Sequence, residues 1–160
     1  MIFVTVGYQM AFDRLIVAID DWAGEHPDAE IHAQIGPTDL QPRNLPWTDF
    51  MDPGEFERRA RECSVMVAHA GMGSILTALE HGKPIVVMPR RGGLGETRND
   101  HQMATARKFA DRAGIHVAFD EAELLVALNR LEALGGSTAT PSVASPQLLD
   151  HLKAFIHGKP

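Results

Sequence analysis

The chain has 160 residues, a formal net charge of −6 and a single cysteine. Its length suits one domain large enough for a sheet covered on both faces, and its acidic balance argues against a general nucleic-acid binder. The lone cysteine excludes an internal disulfide and a cysteine-based zinc site, and the eight histidines form no HExxH motif, so we expect no metal and no cofactor.

Strand and helix patterns alternate through the first 63 residues. Apolar runs and apolar–polar alternation predict strands, and apolar residues at helical spacing predict a helix between the first two strands. Asp52 followed by Pro53 is a typical start of a second helix. Gly7 marks a tight exit from the first strand, in a loop that we expect at the ligand-binding edge of the sheet. The predicted elements are strands at 1–6, 31–35 and 47–51, and helices at 13–24 and 53–63.

The central stretch, residues 64–102, carries the clearest motif. A buried-strand run at 65–68 ends in His69-Ala70-Gly71-Met72-Gly73-Ser74, and Ser74 is placed to cap a helix at 75–81. The glycines let the backbone approach a ligand closely, and the helix start presents unpaired N–H groups and a partial positive charge. We therefore predict a phosphate site, with an ordinary tight strand–helix turn as the alternative, because a lone GxG is a weak signal.

A second polar loop follows the next strand, which we predict at 85–88. The loop contains Arg90 and Arg91 at the strand end and the run Asn-Asp-His-Gln at 99–102. In a parallel sheet both loops lie at the carboxyl edge, where α/β proteins bind their ligands. Two arginines, amides and an imidazole beside an anion-ready helix start indicate a site for a ligand of the nucleotide-sugar type.

The alternation continues to about residue 134. We predict a helix at 100–113, a strand at 115–119 and a helix at 120–134. Strands that alternate with helices in this way predict an α/β fold, a Rossmann-like parallel sheet with helices on both faces, spanning residues 1–134.

The last 26 residues differ in composition. Residues 135–146 are small and proline-bearing, which predicts a flexible linker. Within 147–160, apolar residues at helical spacing predict an amphipathic C-terminal helix from Gln147 to His157. Its apolar stripe packs either on its own domain or on a partner or membrane surface, and the sequence leaves both open.

Together these motifs resemble the C-terminal, donor-binding half of family-28 glycosyltransferases, MurG-like enzymes of the GT-B fold. The resemblance runs from Met1 to about Leu134. It is similar above all to free-standing small subunits of two-chain glycosyltransferases: the soluble subunit of the GlcNAc transferase that makes dolichol-linked chitobiose, and PssE-like subunits of bacterial exopolysaccharide glucuronosyltransferases. The residues that carry it are HAGMGS at 69–74, GKP at 82–84, MPR at 88–90 and NDHQ at 99–102.

The resemblance implies a metal-independent UDP-sugar site in which backbone N–H groups at Gly71, Gly73 and Ser74 hold the diphosphate. Residues 99–102 would contact the donor sugar. Thr77 stands where many family members carry a ribose-binding glutamate. The predicted substrate-binding residues are Gly7, His69, Gly71, Met72, Gly73, Ser74, Thr77, Arg90, Arg91, Asn99, Asp100, His101 and Gln102, with Arg90 and His69 as candidate catalytic groups.

The resemblance also implies that the acceptor site lies on another polypeptide, a membrane-associated glycosyltransferase subunit that binds a polyprenyl-diphosphate-linked sugar. The chain shows no signal peptide and no apolar run long enough for a bilayer, so we expect it in the cytoplasm, at the inner face of the membrane through that partner. Made alone, we expect it to expose a docking patch and self-associate.

Three functions remain open at this stage. The first is the donor-binding subunit of an inverting glycosyltransferase that uses UDP-glucuronate or UDP-GlcNAc. The second is a non-catalytic nucleotide-sugar sensor of the same fold, which Thr77 favours. The third is a self-sufficient enzyme of another class, for which the sequence offers no nucleophile–base arrangement.

Overall fold

The computed structural model describes residues 1–131; the predicted linker and C-terminal helix lie outside the described residues. The elements, in chain order, are β1 (Ile2–Thr5), α1 (Asp13–Glu25), β2 (Ile31–Gln34), β3 (Trp47–Thr48), α2 (Pro53–Glu62), β4 (Val65–His69), α3 (Met72–Glu80), β5 (Ile85–Met88), a 3-10 helix (Gly92–Leu94), α4 (His101–Phe109), β6 (Ile115–Val117) and α5 (Glu121–Leu128).

The strands form one parallel sheet in the order β3-β2-β1-β4-β5-β6. From β1 the chain winds outward to β2 and β3, then returns to β4 on the other side of β1. In the central pairing Ile2 lies opposite Ile31 on one side and opposite Val65 on the other. The winding direction therefore reverses between β1 and β4, and this is the position where open α/β sheets leave a crevice for ligands. The predicted fold class is confirmed.

Helices cover both faces of the sheet, because consecutive strand residues point to opposite sides. In β1, Val4 packs with α1 and α5, whereas Phe3 packs with α2, α3 and α4. β1, β4 and β5 are almost entirely apolar and buried, as central parallel strands usually are, whereas β2, β3 and β6 carry polar residues and the outer strands β3 and β6 are partly exposed. Because every strand pairing is parallel, the carboxyl ends of all the strands lie at one edge of the sheet.

Helix starts confirm one sequence prediction and overturn another. Asp52 caps α2 as predicted, its Oδ1 accepting from the N–H groups of Gly54 (2.9 Å) and Glu55 (3.0 Å). Ser74 does not cap α3, since this helix begins at Met72 with Gly71 as its N-cap and without a side-chain cap. Gly71 is already extended (φ −90°, ψ 139°), and the helix starts three residues earlier than the serine suggested.

Two later helices are shorter than predicted. α4 ends at Phe109 rather than near 113, and a turn at 110–114 leads into β6 through Gly114, whose φ is +83°. α5 ends at Leu128 rather than near 134, with Asn129 bound through its side-chain oxygen to Trp22 Nε1 at 2.7 Å. Within residues 1–131, no helix combines the length and the apolarity that crossing a membrane requires.

Candidate functional site

A cleft of about 740 Å³ opens at the carboxyl edge of the sheet, above the reversal between β1 and β4. Its walls come from the segments that follow β1, β3, β4 and β5, together with the first turns of α2, α3 and α4. The volume falls in the range typical of small-molecule sites. Nine of the predicted residues line it: Gly7, His69, Gly71, Met72, Gly73, Ser74, Thr77, Arg90 and Gln102.

The start of α3 forms the floor of the cleft. The first intrahelical bond runs from Ile75 N to Gly71 O (3.2 Å), so the N–H groups of residues 72–74 precede the hydrogen-bonded part of the helix. A methyl group at Gly73 would meet no atom within 4 Å, which shows that the first turn faces open space. Three N–H groups and the positive end of the helix dipole are thus available to an anion. The N–H group of Gly71, a predicted phosphate donor, is not among them, because it donates to His69 O at 2.8 Å.

His69 lies between two glycines beside this floor. A methyl group at Gly71 would stand 2.2 Å from His69 Nε2, and one at Gly7 would stand 3.1 Å from His69 Cε1. Gly7 also has a φ of +77°, a conformation that L-residues rarely adopt. The imidazole ring therefore needs glycine at both positions, and the sequence motif reflects packing around His69 as well as access to a ligand.

His69 is neutral at physiological pH. Burial and the neighbouring Arg90 guanidinium lower the pKa of His69 to about 4, against an opposing effect of the Thr5 backbone. Its Nδ1 atom is buried without a partner in the described part of the chain. A neutral ring is suited to hydrogen bonding or packing; it would have to gain a proton at unfavourable cost to act as a base.

The wall opposite α3 is apolar. Phe50, Met51 and Phe56 line it, and Phe50 has 52% of its surface exposed. Gln34 fixes this wall to the first loop: its Nε2 donates to Gly7 O (3.3 Å) and its Oε1 accepts from Met51 N (3.2 Å). A flat apolar group and a phosphate could thus be held at two sides of one cleft.

Arg90 is buried, with 3% of its surface exposed, and its guanidinium faces backbone oxygens. It donates to Val6 O (2.8 Å), Met10 O (2.7 Å), Ala11 O and Glu96 O (3.2 Å). Arg90 borders the cleft, but its guanidinium donors are bound to four carbonyl oxygens. Arg90 therefore stabilises the conformation of the loop after β1. The charge-stabilising role predicted for it stays a prediction.

Arg91 turns away from the cleft. Its guanidinium donates to Phe119 O (2.6 Å), and the side chain borders a separate cavity of about 470 Å³. Its backbone N–H donates to the carboxylate of Glu96 (2.8 Å), which also receives two bonds from Arg14. Burial raises the pKa of Glu96, but the bonds from Arg14 and the Arg91 amide outweigh it and leave the pKa below its usual value.

The run 99–102 is divided by the start of α4. Gln102 lines the cleft, and its Oε1 accepts from Arg90 N at 3.2 Å, which leaves its NH₂ group to donate elsewhere. Asn99, Asp100 and His101 are exposed; Asn99 accepts from His101 N (3.2 Å), and Asp100 accepts from Gly92 N (2.9 Å). Their predicted contact with a sugar stays a prediction.

Thr77 lies one turn into α3, on the cleft side. Its hydroxyl donates to Gly73 O (3.0 Å), so the oxygen lone pairs are what it can offer a ligand. Thr77 supplies no carboxylate to the cleft, but Glu57 of α2 does. Glu57 lines the cleft, and its Oε1 lies 2.9 Å from His81 Nε2. Among residues 1–131, no three His, Cys, Asp or Glu side chains are grouped as for a metal ion.

Sequence reasoning missed the residues that face the cleft from distant parts of the chain. No motif marks them; Phe50 and Met51 were predicted to end a strand at 47–51, but β3 ends at Thr48 and leaves them in the connection to α2. Proximity to strand ends in a parallel sheet was the signal that could have identified them. They are Thr5, Tyr8, Gln9, Met10, Gln34, Phe50, Met51, Phe56, Glu57 and Thr97.

The family model described as "Glycosyltransferase family 28 C-terminal domain" matches residues 1–134. No curated protein matches the chain significantly. The solution structure of ALG13 is similar over 94% of this chain and 93% of its own, with 17% identity and a TM-score of 0.65.

Longer glycosyltransferases share the same fold. The calicheamicin glycosyltransferase CalG4 matches over 96% of this chain with 17% identity and a TM-score of 0.61. A UDP-glucose:anthocyanidin 3-O-glucosyltransferase, solved in complex with UDP, matches over 99% of this chain with 14% identity and a TM-score of 0.59. The chain spans 39% and 40% of these two proteins.

Proposed function

Because the chain belongs to the glycosyltransferase family 28 C-terminal domain family, we propose that it is the donor-binding subunit of a two-chain inverting glycosyltransferase. It would bind a UDP-sugar, with UDP-glucuronate and UDP-GlcNAc as the candidates. A membrane-associated partner would bring a polyprenyl-diphosphate-linked acceptor, in exopolysaccharide or glycan biosynthesis. The observation that carries the proposal is the start of α3, whose three N–H groups open into the cleft at the sheet reversal.

The diphosphate would bind at the start of α3. Its negative charges meet the positive end of the helix dipole and the N–H groups of residues 72–74, which needs no metal ion. The same groups would stabilise the additional charge that develops on UDP as the glycosidic bond breaks. Since Arg90 is bound to four carbonyls, the helix start supplies this stabilisation in our proposal.

The nucleoside would lie against the apolar wall. Phe50 and Met51 offer a face for the uracil ring, and aromatic and apolar side chains commonly line such sites. The carboxylate of Glu57 is available to accept hydrogen bonds from the ribose hydroxyls. Thr77 can add only an accepting oxygen there, because its own hydroxyl proton is donated to Gly73 O. A fold neighbour of this chain was solved in complex with UDP, which is consistent with a uridine nucleotide.

The sugar would then extend toward the loop between β5 and α4. Gln102 can donate its NH₂ group to a sugar hydroxyl. UDP-glucuronate would be favoured by an arginine that pairs with its carboxylate, and Arg90, Arg91 and Arg98 are the arginines near this loop. The first two bind backbone carbonyls, so Arg98, which is exposed just before α4, is the arginine that supports it.

In the proposed complex a partner subunit supplies the acceptor site. The chain spans about 40% of the longer glycosyltransferases it resembles and 93% of ALG13. Tyr8 and Phe50 have 71% and 52% of their surfaces exposed at the mouth of the cleft, where the acceptor-bearing partner would close over the donor. We place the complex at the cytoplasmic face of the membrane.

Calorimetric titration of the purified chain with UDP, UDP-glucuronate, UDP-GlcNAc and UDP-glucose tests the donor site. Gly73→Val is the informative variant, because its side chain would project from the first turn of α3 into the space assigned to phosphate, without a clash in the protein. We expect its affinity for UDP to fall at least tenfold while its thermal unfolding is unchanged.

Gly93→Val is the matched control. A methyl group at Gly93 also meets no atom within 4 Å, but this residue borders the second cavity and not the cleft. Normal UDP binding by Gly73→Val would refute the phosphate assignment. Tight, sugar-selective binding by a chain that gives no transfer with any co-expressed membrane subunit would favour the sensor function instead.

A further inference from the structure

The loops after β1 and β5 are tied to each other in both directions. Arg90, in the loop after β5, donates to Val6 O and Met10 O in the loop after β1. In return Arg14, in the first turn of α1, reaches Glu96 in the loop after β5. These four contacts join segments that are 80 to 84 residues apart in the sequence.

The second of these connections, called the tie below, is the ion pair between Arg14 and Glu96. Glu96 Oε1 accepts from Arg14 Nε at 2.6 Å and Glu96 Oε2 from the terminal nitrogen of Arg14 at 2.9 Å, a bidentate pair. The same Oε2 accepts from Arg91 N at 2.8 Å, which folds the loop back on itself. The side chains of Arg14 and Glu96 are only 13% and 11% exposed, so water screens the pair weakly.

The loop needs such a tie because its own backbone offers little rigidity. It contains three glycines, Gly92, Gly93 and Gly95, and its regular structure is one short 3-10 helix. Gly95 has a φ of +72° directly before Glu96. A buried ion pair adds little net stability once desolvation is counted, but it selects one geometry over others.

We propose that Arg14 and Glu96 are positioning residues that set how the cleft holds the sugar end of its ligand, as distinct from the nucleotide end. This inference rests on the proposed function. Glu96 immediately precedes Thr97, which lines the cleft, and the amide of Arg90 in the same loop orients Gln102. Through the bonds of Glu96 to Arg14 and to the Arg91 amide, the ion pair therefore holds the loop beside Thr97 and beside the Arg90 amide that meets Gln102 of α4.

The nucleotide end is held by other parts of the chain. The start of α3 follows β4, and the apolar wall at Phe50 and Met51 is fixed by Gln34. Neither contacts Arg14 or Glu96 through a hydrogen bond in the described residues. Loosening the ion pair should accordingly weaken recognition of the sugar and spare that of UDP.

Glu96→Gln is the direct test, because it keeps the side-chain shape and replaces one accepting oxygen with a donor that faces other donors. For this variant we expect the affinity for UDP to change less than about threefold, and the affinity for the tightest-binding UDP-sugar to fall about tenfold or more. Glu121→Gln is the matched control: Glu121 also contacts Arg14 (3.3 Å), but it is 46% exposed and lies on α5.

The exchanged pair Arg14→Glu/Glu96→Arg separates positioning from general damage. If the pair acts as a tie, the double variant should recover part of the UDP-sugar affinity that Arg14→Glu alone loses. Equal losses for UDP and UDP-sugar in Glu96→Gln, an equal effect of Glu121→Gln, or no recovery in the exchanged pair would each overturn the proposal.

Hydrogen–deuterium exchange provides a readout without ligand. In Glu96→Gln the amide of Arg91 should exchange at least tenfold faster, while the buried strands keep their protection. Unchanged exchange at Arg91 would overturn the tie itself. If the unmodified chain bound no nucleotide, the proposed function would fail and the positioning role with it, whereas nucleotide binding with an unchanged sugar preference in Glu96→Gln would overturn the positioning alone.

Discussion

Replacing Gly71 with alanine should destabilise the domain through one contact, the one with His69. The added methyl group would lie 2.2 Å from Nε2 and 2.8 Å from Cδ2 of the imidazole. Ordinary contacts of this kind begin near 3.4 Å, so the ring would have to retreat by about 1.2 Å. The backbone is not the obstacle, because Gly71 has φ −90° and ψ 139°, which alanine adopts readily.

Gly7 flanks the other side of the ring, where even an added methyl group would stand 3.1 Å from Cε1, so the space for retreat is small. Overpacking of this kind costs about 1–3 kcal/mol, and loss of glycine at the N-cap adds somewhat less than about 1 kcal/mol. We therefore expect Gly71→Ala to lower the free energy of unfolding by about 2–3 kcal/mol and the melting temperature by roughly 6–9 °C.

Urea unfolding followed by the fluorescence of the buried Trp22 measures the loss, and Gly73→Ala, which meets no atom within 4 Å, is the neutral control. The decisive measurement repeats Gly71→Ala in a His69→Ala background, where the clash is absent. There its cost should drop to within about 1 kcal/mol, giving a coupling energy of about 1–2 kcal/mol. An equal cost in both backgrounds would refute the argument.

Two further predictions concern the charges around the cleft. The pKa of His69 is about 4 in the folded chain and near 6.5 in the unfolded chain, so the unfolded chain takes up the proton first as the pH falls. The stability that the neutral ring contributes is complete above pH 6.5 and falls by about 3 kcal/mol in all as the pH drops toward 4. Urea titrations of His69→Asn should not show this decline. Arg90→Met should lower the free energy of unfolding by about 2–4 kcal/mol, because Val6 O and Met10 O lose their donor, whereas the exposed Arg98→Met should change it by less than about 0.5 kcal/mol in the same assay.

Local patterns in the sequence were enough to predict the sheet and the position of the cleft. The central strands β1, β4 and β5 have the apolar signature of buried parallel strands, β2 shows apolar–polar alternation, and the glycines after β1 and β4 mark the turns that meet at the reversal. Helix ends were less accurate. Ser74 is a good capping residue in isolation, but Gly71 is extended and lets α3 begin earlier.

The features of the cleft that could not be predicted depend on contacts between residues far apart in the sequence. Arg90 is a residue type that often binds anionic ligands. Only the fold shows that backbone carbonyls of residues 6–11 accept hydrogen bonds from its guanidinium. Phe50 and Met51 belong to a connection without a motif, and they reach the cleft because β3 lies beside β2 in the sheet. Of the run 99–102, the helical geometry of α4 turns Gln102 toward the cleft and leaves Asn99 to His101 exposed.

The cross-ties between the two loops also affect the order in which the protein folds. Each joins residues about 80 positions apart, so it can form only after the chain has closed a long loop, at an entropic cost that local contacts do not carry. During synthesis the segment containing β1, α1 and β2 therefore emerges well before Arg90 and Glu96 exist to organise its loop. The cleft is consequently a late product of folding, and fragments that end before about residue 102 should have strands but no formed cleft.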